Sequence, residues 1–454
     1  MTRRRRALNN GIGQAVRGCG GRVMNGEKGR SWGKVSAAAV AVVMLGADGR
    51  CMGAQEQTAD PAEGAAVAPA DATEAAAQNN EKLRALIEEV RAKHKAPALA
   101  GAAWRDGEAV AVAAEGVRRD GDDTPVTDDD RFHIGSCTKA MTATLAGVFV
   151  ERGLIRWEST VEDVLPAIAA SGRVEYRAVT LEQLLWHRSG IPGAGHGKES
   201  GAIWGDIWRL SSGDMEMREQ RRRAAALILG LAPIGPAGDT FDYSNYGYMV
   251  AGAMLEEVGG DTWENLMQRE VFAPLDMTSA GFGPPGAGGD ARAQPWGHQP
   301  GPTGSLKPVE PGPGADNPAV LGPAGTVHVS VNDWLKFAAL HCRGARGEEG
   351  LLLKPETFAR MHARPRDAAG NEVGDYAMGW GLTAREWARG DEGTPGLVLT
   401  HGGSNTMWNA VAWIAPERNA AFVAANNLPL GDAGGRANDE VIWGMVQRFL
   451  LGQE

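Results

Sequence analysis

The chain has 454 residues, 43% hydrophobic and 22% charged, so it has ample apolar surface for a large core and needs no disulfide or metal staple for its size. Its formal net charge is −10, but residues 1–54 hold ten Lys/Arg against two Asp/Glu, leaving the rest strongly acidic. An acidic body argues against nucleic acid or an anionic membrane surface as partner.

The N-terminus reads as an export leader. Arg3, Arg4, Arg5 and Arg6, then Lys28, Arg30 and Lys34, form a basic flank. An apolar run from Val35 to Leu45 follows and closes on Gly46 and Ala47. A basic flank, a short apolar core and small residues make a secretory signal, and the run is too short to span a bilayer comfortably. This reading places cleavage after Ala47 or Ala54 and the start at Met1 or Met24, and expects an exported protein (periplasmic or extracellular) with no stable membrane span in its mature form. An uncleaved leader is the alternative. Cys51 follows Asp48-Gly49-Arg50, which does not resemble a lipobox. Residues 55–80 are mostly Ala, Pro, Glu, Asp and Thr and read as a low-complexity linker. One domain is expected over residues 81–454.

That body begins with Leu83, Leu86, Ile87 and Val90 at helical spacing. Ala98–Arg105 and Glu108–Gly116 read as strands joined by a hairpin turn at Asp106-Gly107. Ser136 opens a run through Met141, Leu145, Val148 and Phe149 that is apolar on most faces, a buried helix stopped at Gly153. Further helices are predicted near Leu181–His187 and Tyr246–Val258. Between them, one of Trp204 and Trp208 is read as packing, and Arg221, Arg222 and Arg223 as surface. Gly283–Gly325, rich in Gly and Pro, reads as a long surface loop with Trp296-Gly297-His298 as a candidate rim. Leu397–Thr400, Met407–Ala415 and Ala421–Ala425 read as strands, and Asn438–Leu451 as a closing helix. Strands at both ends of a mostly helical middle predict an α+β fold: an antiparallel sheet built from both termini, flanked by helices, with a helical lobe inserted. Cys137 and Cys342 read as buried free thiols, their pairing left open. No Cys/His spacing suggests a metal, and no cofactor is expected.

Three short stretches carry chemistry. In Ser136-Cys137-Thr138-Lys139 the serine and lysine stand one helical turn apart on one face. A serine hydroxyl is a weak nucleophile until a base sits against it, and a lysine whose pKa is lowered by burial is such a base. At a helix start, backbone N–H groups also face a developing oxyanion. In Tyr243-Ser244-Asn245, an extended backbone aims Tyr243 and Asn245 at one cleft; a tyrosine beside a cationic lysine is expected to have a lowered pKa and relay protons. In His401-Gly402-Gly403-Ser404, the glycines allow close approach of a ligand backbone, and the Ser404 N–H is a second oxyanion donor.

S-x-x-K, Y-S-N and H-x-G in this order resemble the serine β-lactamase and penicillin-binding-protein superfamily, in particular its group of class C β-lactamases, D-Ala-D-Ala carboxypeptidases and esterases. Leu184–Pro192, Phe272–Met277 and Gly322-Pro323-Ala324-Gly325 resemble that group too. The resemblance implies Ser136 as the acylated nucleophile, Lys139 as base, and Tyr243 as proton donor titrating together with the lysine. It also implies Asn245, His401, Gly402, Gly403 and Ser404 as substrate-binding residues. The expected substrate is a small molecule or peptide: an ester or amide, such as a D-amino-acid peptide or small ester. A β-lactamase proper, or a penicillin-binding receptor with little turnover, is the alternative. Well-known class C β-lactamases resemble one another in having K-T-G where this chain has His401-Gly402-Gly403. A histidine is mostly neutral above a pKa of ~6.5, so carboxylate recognition is expected to be weaker or pH-dependent.

Overall fold

The computed structural model describes residues 70–193, 197–367, 369–391 and 393–453. The export leader, and the linker up to residue 69, lie outside the described residues. The rest of the linker is helical: the first helix runs from Ala70 to His94 and begins eleven residues before the expected domain start at Glu81. Its Asn80 side chain accepts from the Val112 N–H at 2.8 Å, so this extension is tied to the sheet.

The strands are β1 (Ala98–Arg105), β2 (Glu108–Gly116), β3 (Arg131–His133), β4 (Gly281–Phe282), β5 (Gly297–Pro300), β6 (Leu306–Val309), β7 (Val327–Ser330), β8 (Gly381–Ala384), β9 (Leu397–Gly403), β10 (Asn409–Ala415) and β11 (Ala420–Asn426). The main sheet has the order β2-β1-β11-β10-β9-β8, and each neighbouring pair is antiparallel. The first and last thirds of the chain thus build one sheet, as the α+β reading expects.

The period of two decides what each face meets. Leu99 and Ala103 of β1 and Phe422 and Ala424 of β11 pack with Leu83, Ile87, Val441 and Met445 of the two terminal helices. Ala100, Ala102, Val423 and Ala425 point the other way, into the larger core with Met141, Leu145 and Phe337. On β10, Ala410, Ala412 and Ile414 share this inner face. His401 pairs with Ala412, so the alternation turns its side chain inward as well.

The buried helix Thr138–Glu151 crosses the inner side, with a short 3-10 turn, Gly135–Cys137, leading into it. A small sheet of order β3-β7-β4 anchors that turn from behind, and the Ile134 N–H donates to the Val327 carbonyl at 3.0 Å. The helical lobe includes Met217–Ile228 and Asn245–Gly259. The closing helix starts at Asp432, earlier than its apolar residues alone predict.

Gly283–Gly325 is more ordered than a surface loop. It holds the hairpin β5–β6 and ends in a buried turn, Gly322–Gly325. His298 is no rim: it is fully buried, accepting from the Asp120 N–H at 3.0 Å and meeting the Asn427 carbonyl at 2.7 Å. Trp296 is held under Arg119. Arg221 is also corrected. It is fully buried, paired with Glu256 and with Glu264 at 2.8 Å, while Arg222 and Arg223 stay partly exposed. The pattern Glu-Gln-Arg-Arg-Arg gives no hint which arginine faces inward; that is set by the two glutamates on neighbouring helices. Cys137 and Cys342 are buried free thiols, far apart in their contacts.

Candidate active site

Ser136 lies in the 3-10 turn, and Lys139 in the first turn of the helix that follows, so both reach the same side. Lys139 Nζ is 3.1 Å from Ser136 Oγ, 2.7 Å from Asn245 Oδ1 and 2.7 Å from the Ala324 carbonyl. A neutral amine has two N–H donors and one lone pair. The Asn245 and Ala324 oxygens only accept, so they take the two N–H groups. The lone pair is left for the Ser136 hydroxyl, which donates. The lysine side chain is fully buried, and burial pulls its pKa down to about 7. The rings of Tyr243 and Tyr248 stand 4.8 and 5.4 Å from its nitrogen.

Asn245 is the first residue of its helix, capped by Ser244, whose Oγ accepts from the Gly247 N–H at 3.3 Å. Ser244 is extended, which separates Tyr243 and Asn245 as the two-residue spacing predicts. Burial raises the Tyr243 phenol above its ordinary value, opposed by its hydrogen bond with Ser136. The expectation of a lowered tyrosine pKa is therefore corrected. Burial outweighs the partial charge that Lys139 keeps near pH 7, and Tyr243 is a protonated donor.

His401 is buried. Its Nδ1 donates to the Gly402 carbonyl at 2.6 Å and its Nε2 accepts from the Tyr376 hydroxyl at 2.9 Å. Burial, and next to it the Lys139 charge, hold its pKa down at about 3. It is a neutral ring with both nitrogens engaged across the physiological range. The pH-dependent form of carboxylate recognition is thereby removed.

The glycines act on the protein's own backbone. Gly135 has φ +49°, and a Cβ there would lie 2.3 Å from the Ser404 nitrogen. A Cβ on Gly403 would lie 1.9 Å from the Ile134 carbonyl and 2.8 Å from the Ser136 nitrogen. The Gly135–Ser136 and Gly403–Ser404 segments touch only because both glycines lack side chains. This brings the Ser136 and Ser404 backbones together. Gly402 is exposed, with open space beside it.

Three contributors escape a side-chain reading of the sequence. The Ala324 carbonyl is backbone, signalled only by the small-residue stretch Gly-Pro-Ala-Gly. Tyr376 stands in a segment without periodicity. His187, in the left-handed region at φ +59°, accepts from the Ser244 N–H at 3.1 Å and packs its ring 4.3 Å from that of Tyr243. Cys137 beside the nucleophile is inert: burial pushes its thiol far up. Among the described residues no helix is long and apolar enough to cross a membrane.

A serine held against a buried lysine of lowered pKa on this scaffold points to a serine hydrolase. Residues 83–444 match the family model described as Beta-lactamase, and the chain belongs to the beta-lactamase family. It is 28% identical over 314 residues to "Penicillin-binding protein 4" of Amycolatopsis lactamdurans, covering 68% of this chain and 75% of that one. It is 28% identical over 254 residues to the "Lovastatin esterase" of Penicillium rubens, covering 53% of this chain and 56% of the esterase. Among solved structures, the octameric penicillin-binding protein homologue from Pyrococcus abyssi superposes with a TM-score of 0.62 at 22% identity, covering 82% of this chain and 78% of that one.

Proposed function

We propose that the protein hydrolyses an ester or amide through an acyl-enzyme on Ser136. The observation that carries this reading is the set of partners around Lys139 Nζ, which leaves its lone pair to the Ser136 hydroxyl. As Ser136 Oγ bonds to the carbonyl carbon, its proton passes to Lys139. The carbonyl oxygen becomes an oxyanion facing the Ser136 and Ser404 N–H groups. When the tetrahedral centre collapses, the bond to the leaving group breaks, and Tyr243 supplies the proton that group needs. Water then attacks the ester on Ser136, and the same groups return the serine. Asn245 holds Lys139 in place and, through its amide N–H, binds the substrate.

The substrate is a small ester or a D-amino-acid peptide whose binding needs no cation at position 401, in preference to a β-lactam. His401 stands where a lysine is expected in a class C β-lactamase, and it is neutral and engaged, so it offers no cation to a carboxylate. The names of the similar proteins, a penicillin-binding protein and an esterase, support an amide or ester substrate. We read the protein as exported, on its leader. The test is steady-state turnover of p-nitrophenyl acetate by the full chain. Turnover lost in Ser136→Ala supports the reading; equal turnover in the variant contradicts it.

A further inference from the structure

Behind the touching Gly135 and Gly403 segments lies a buried polar network that the serine–lysine chemistry does not use. His133, Asp316 and Asn405 are 0%, 8% and 3% exposed and come from distant parts of the chain. His133 Nε2 is 2.9 Å from Asp316 Oδ2. Asp316 Oδ1 accepts from Asn405 Nδ2 at 2.9 Å and from the Asn317 N–H at 2.7 Å. His133 Nδ1 accepts from the Gly135 N–H at 3.1 Å, and Asn405 Oδ1 from the Met407 N–H at 3.1 Å. The ends of this network therefore sit beside the two oxyanion donors: Gly135 precedes Ser136, and Asn405 follows Ser404.

Proton placement assigns each group its role. A backbone N–H only donates, so His133 Nδ1 is bare and the ring proton is on Nε2. That proton needs an acceptor, and Asp316 Oδ2 is the one in reach. A carboxylate, which only accepts, satisfies His133, Asn405 and Asn317 at once. No neutral side chain of the same shape does so. The segments joined in this way are in backbone contact, so a small shift of either moves a donor relative to the other.

We propose that Asp316 is a positioning residue that, through His133 and Asn405, sets the spacing and aim of the Ser136 and Ser404 N–H groups. The proposal rests on the acyl-enzyme reading. In Asp316→Asn the amide keeps its shape, but whichever way it turns, its NH2 faces another donor, His133 Nε2–H or Asn405 Nδ2–H. The swap D316N/N405D returns an acceptor to His133 and a complementary pair to positions 316 and 405, and leaves only the Asn317 N–H facing a donor.

The experiment compares a short-chain p-nitrophenyl ester with its thionoester in the full chain. Sulfur is the poorer hydrogen-bond acceptor, so the ester gains more from aligned N–H donors. Removing one such donor outright lowers kcat by about 10²–10³-fold, so displacing them in D316N is expected to lower ester kcat by roughly 10–100-fold with little change in KM. The ester-to-thionoester ratio falls with it, and the swap recovers part of both. Asn405→Ala, which leaves Asp316 and His133 paired, shifts the ratio the same way by less. The ratio is insensitive to the folded fraction, since unfolded protein loses both substrates equally. A wild-type ratio in D316N and in N405A overturns the proposal, whatever happens to total activity. Lack of ester turnover in the wild-type protein instead contradicts the acyl-enzyme reading itself.

Discussion

Lys139 Nζ lies 3.1 Å from Ser136 Oγ, and its two other partners, Asn245 Oδ1 and the Ala324 carbonyl, have no proton to give it. Burial lowers the lysine pKa, and in the free-amine form these two oxygens take both N–H groups and leave the lone pair aimed at the hydroxyl. With its pKa at about 7, kcat/KM for an uncharged ester is expected to rise tenfold per pH unit below that value and to level off above it. A rising limb near the ordinary lysine value, read from the same profile, would show that burial does not activate the base.

The same shift has a stability consequence with a definite sign. Between pH 7 and the ordinary lysine value of 10.5 the unfolded chain holds a proton on this lysine that the folded chain has lost, so stability rises with pH across that window. The contribution is on the order of 5 kcal/mol at about 1.4 kcal/mol per unit. Denaturant unfolding of the wild type and Lys139→Met across that range is expected to differ in slope, with the shallower slope in the variant.

His401 supplies a negative expectation. A ring with a pKa of about 3, bonded at both nitrogens, gains no charge between pH 5 and 8. The ratio of kcat/KM for a carboxylate-bearing ester to that for its methyl ester is therefore expected to stay flat over this range. A ratio that climbs as pH falls through 6.5 would mean that the histidine titrates and binds the carboxylate.

Gly403 has no room for a side chain. A Cβ 1.9 Å from the Ile134 carbonyl forces the two segments apart and moves the Ser404 N–H from its place beside Ser136. Gly403→Ala is expected to lower kcat by about 10²–10³-fold, the loss seen when one oxyanion donor is removed. Gly205→Ala, at an open and exposed position in the helix Gly197–Ser211, is the control and is expected to change kcat by less than about threefold.

Arg221 tests the lobe rather than the site. Its guanidinium is fully buried between Glu256 and Glu264, and burial raises the Glu256 pKa to about 7 despite the arginine. Removing one partner of a buried pair strands the others, so Arg221→Ala is expected to cost about 3–5 kcal/mol in chemical denaturation. Arg222→Ala, at the partly exposed pair with Glu257, is expected to cost less than about 1 kcal/mol.

Much of this was legible in the sequence, because period and spacing report local geometry. The hairpin Ala98–Arg105/Glu108–Gly116 appears with the predicted bounds. Ser136, Lys139 and Asn245 converge as the motif spacing implies, with Tyr243 against the lysine. What was not legible depends on contacts between distant segments. Ala324 contributes a carbonyl that every residue possesses. Tyr376 meets His401 because it bridges to Gly381, which pairs with Thr400 of β9. Arg221 and its neighbours are alike until Glu256 and Glu264 distinguish them. The direction of the Tyr243 shift depends on how buried the site is, which spacing does not encode. Gly403, whose lack of a side chain gives room for a ligand, also gives room for the turn that carries Ser136.

The most direct test of the central claim is the intact mass of the purified full chain, followed over time after mixing with a short-chain p-nitrophenyl ester and, separately, with a penicillin. The expected result is an acyl adduct that maps to Ser136, is absent in Ser136→Ala, forms slowly in Lys139→Arg, and decays in the wild type at the rate of ester turnover. Ester turnover without any adduct on Ser136, or an adduct that persists in Ser136→Ala, would contradict it.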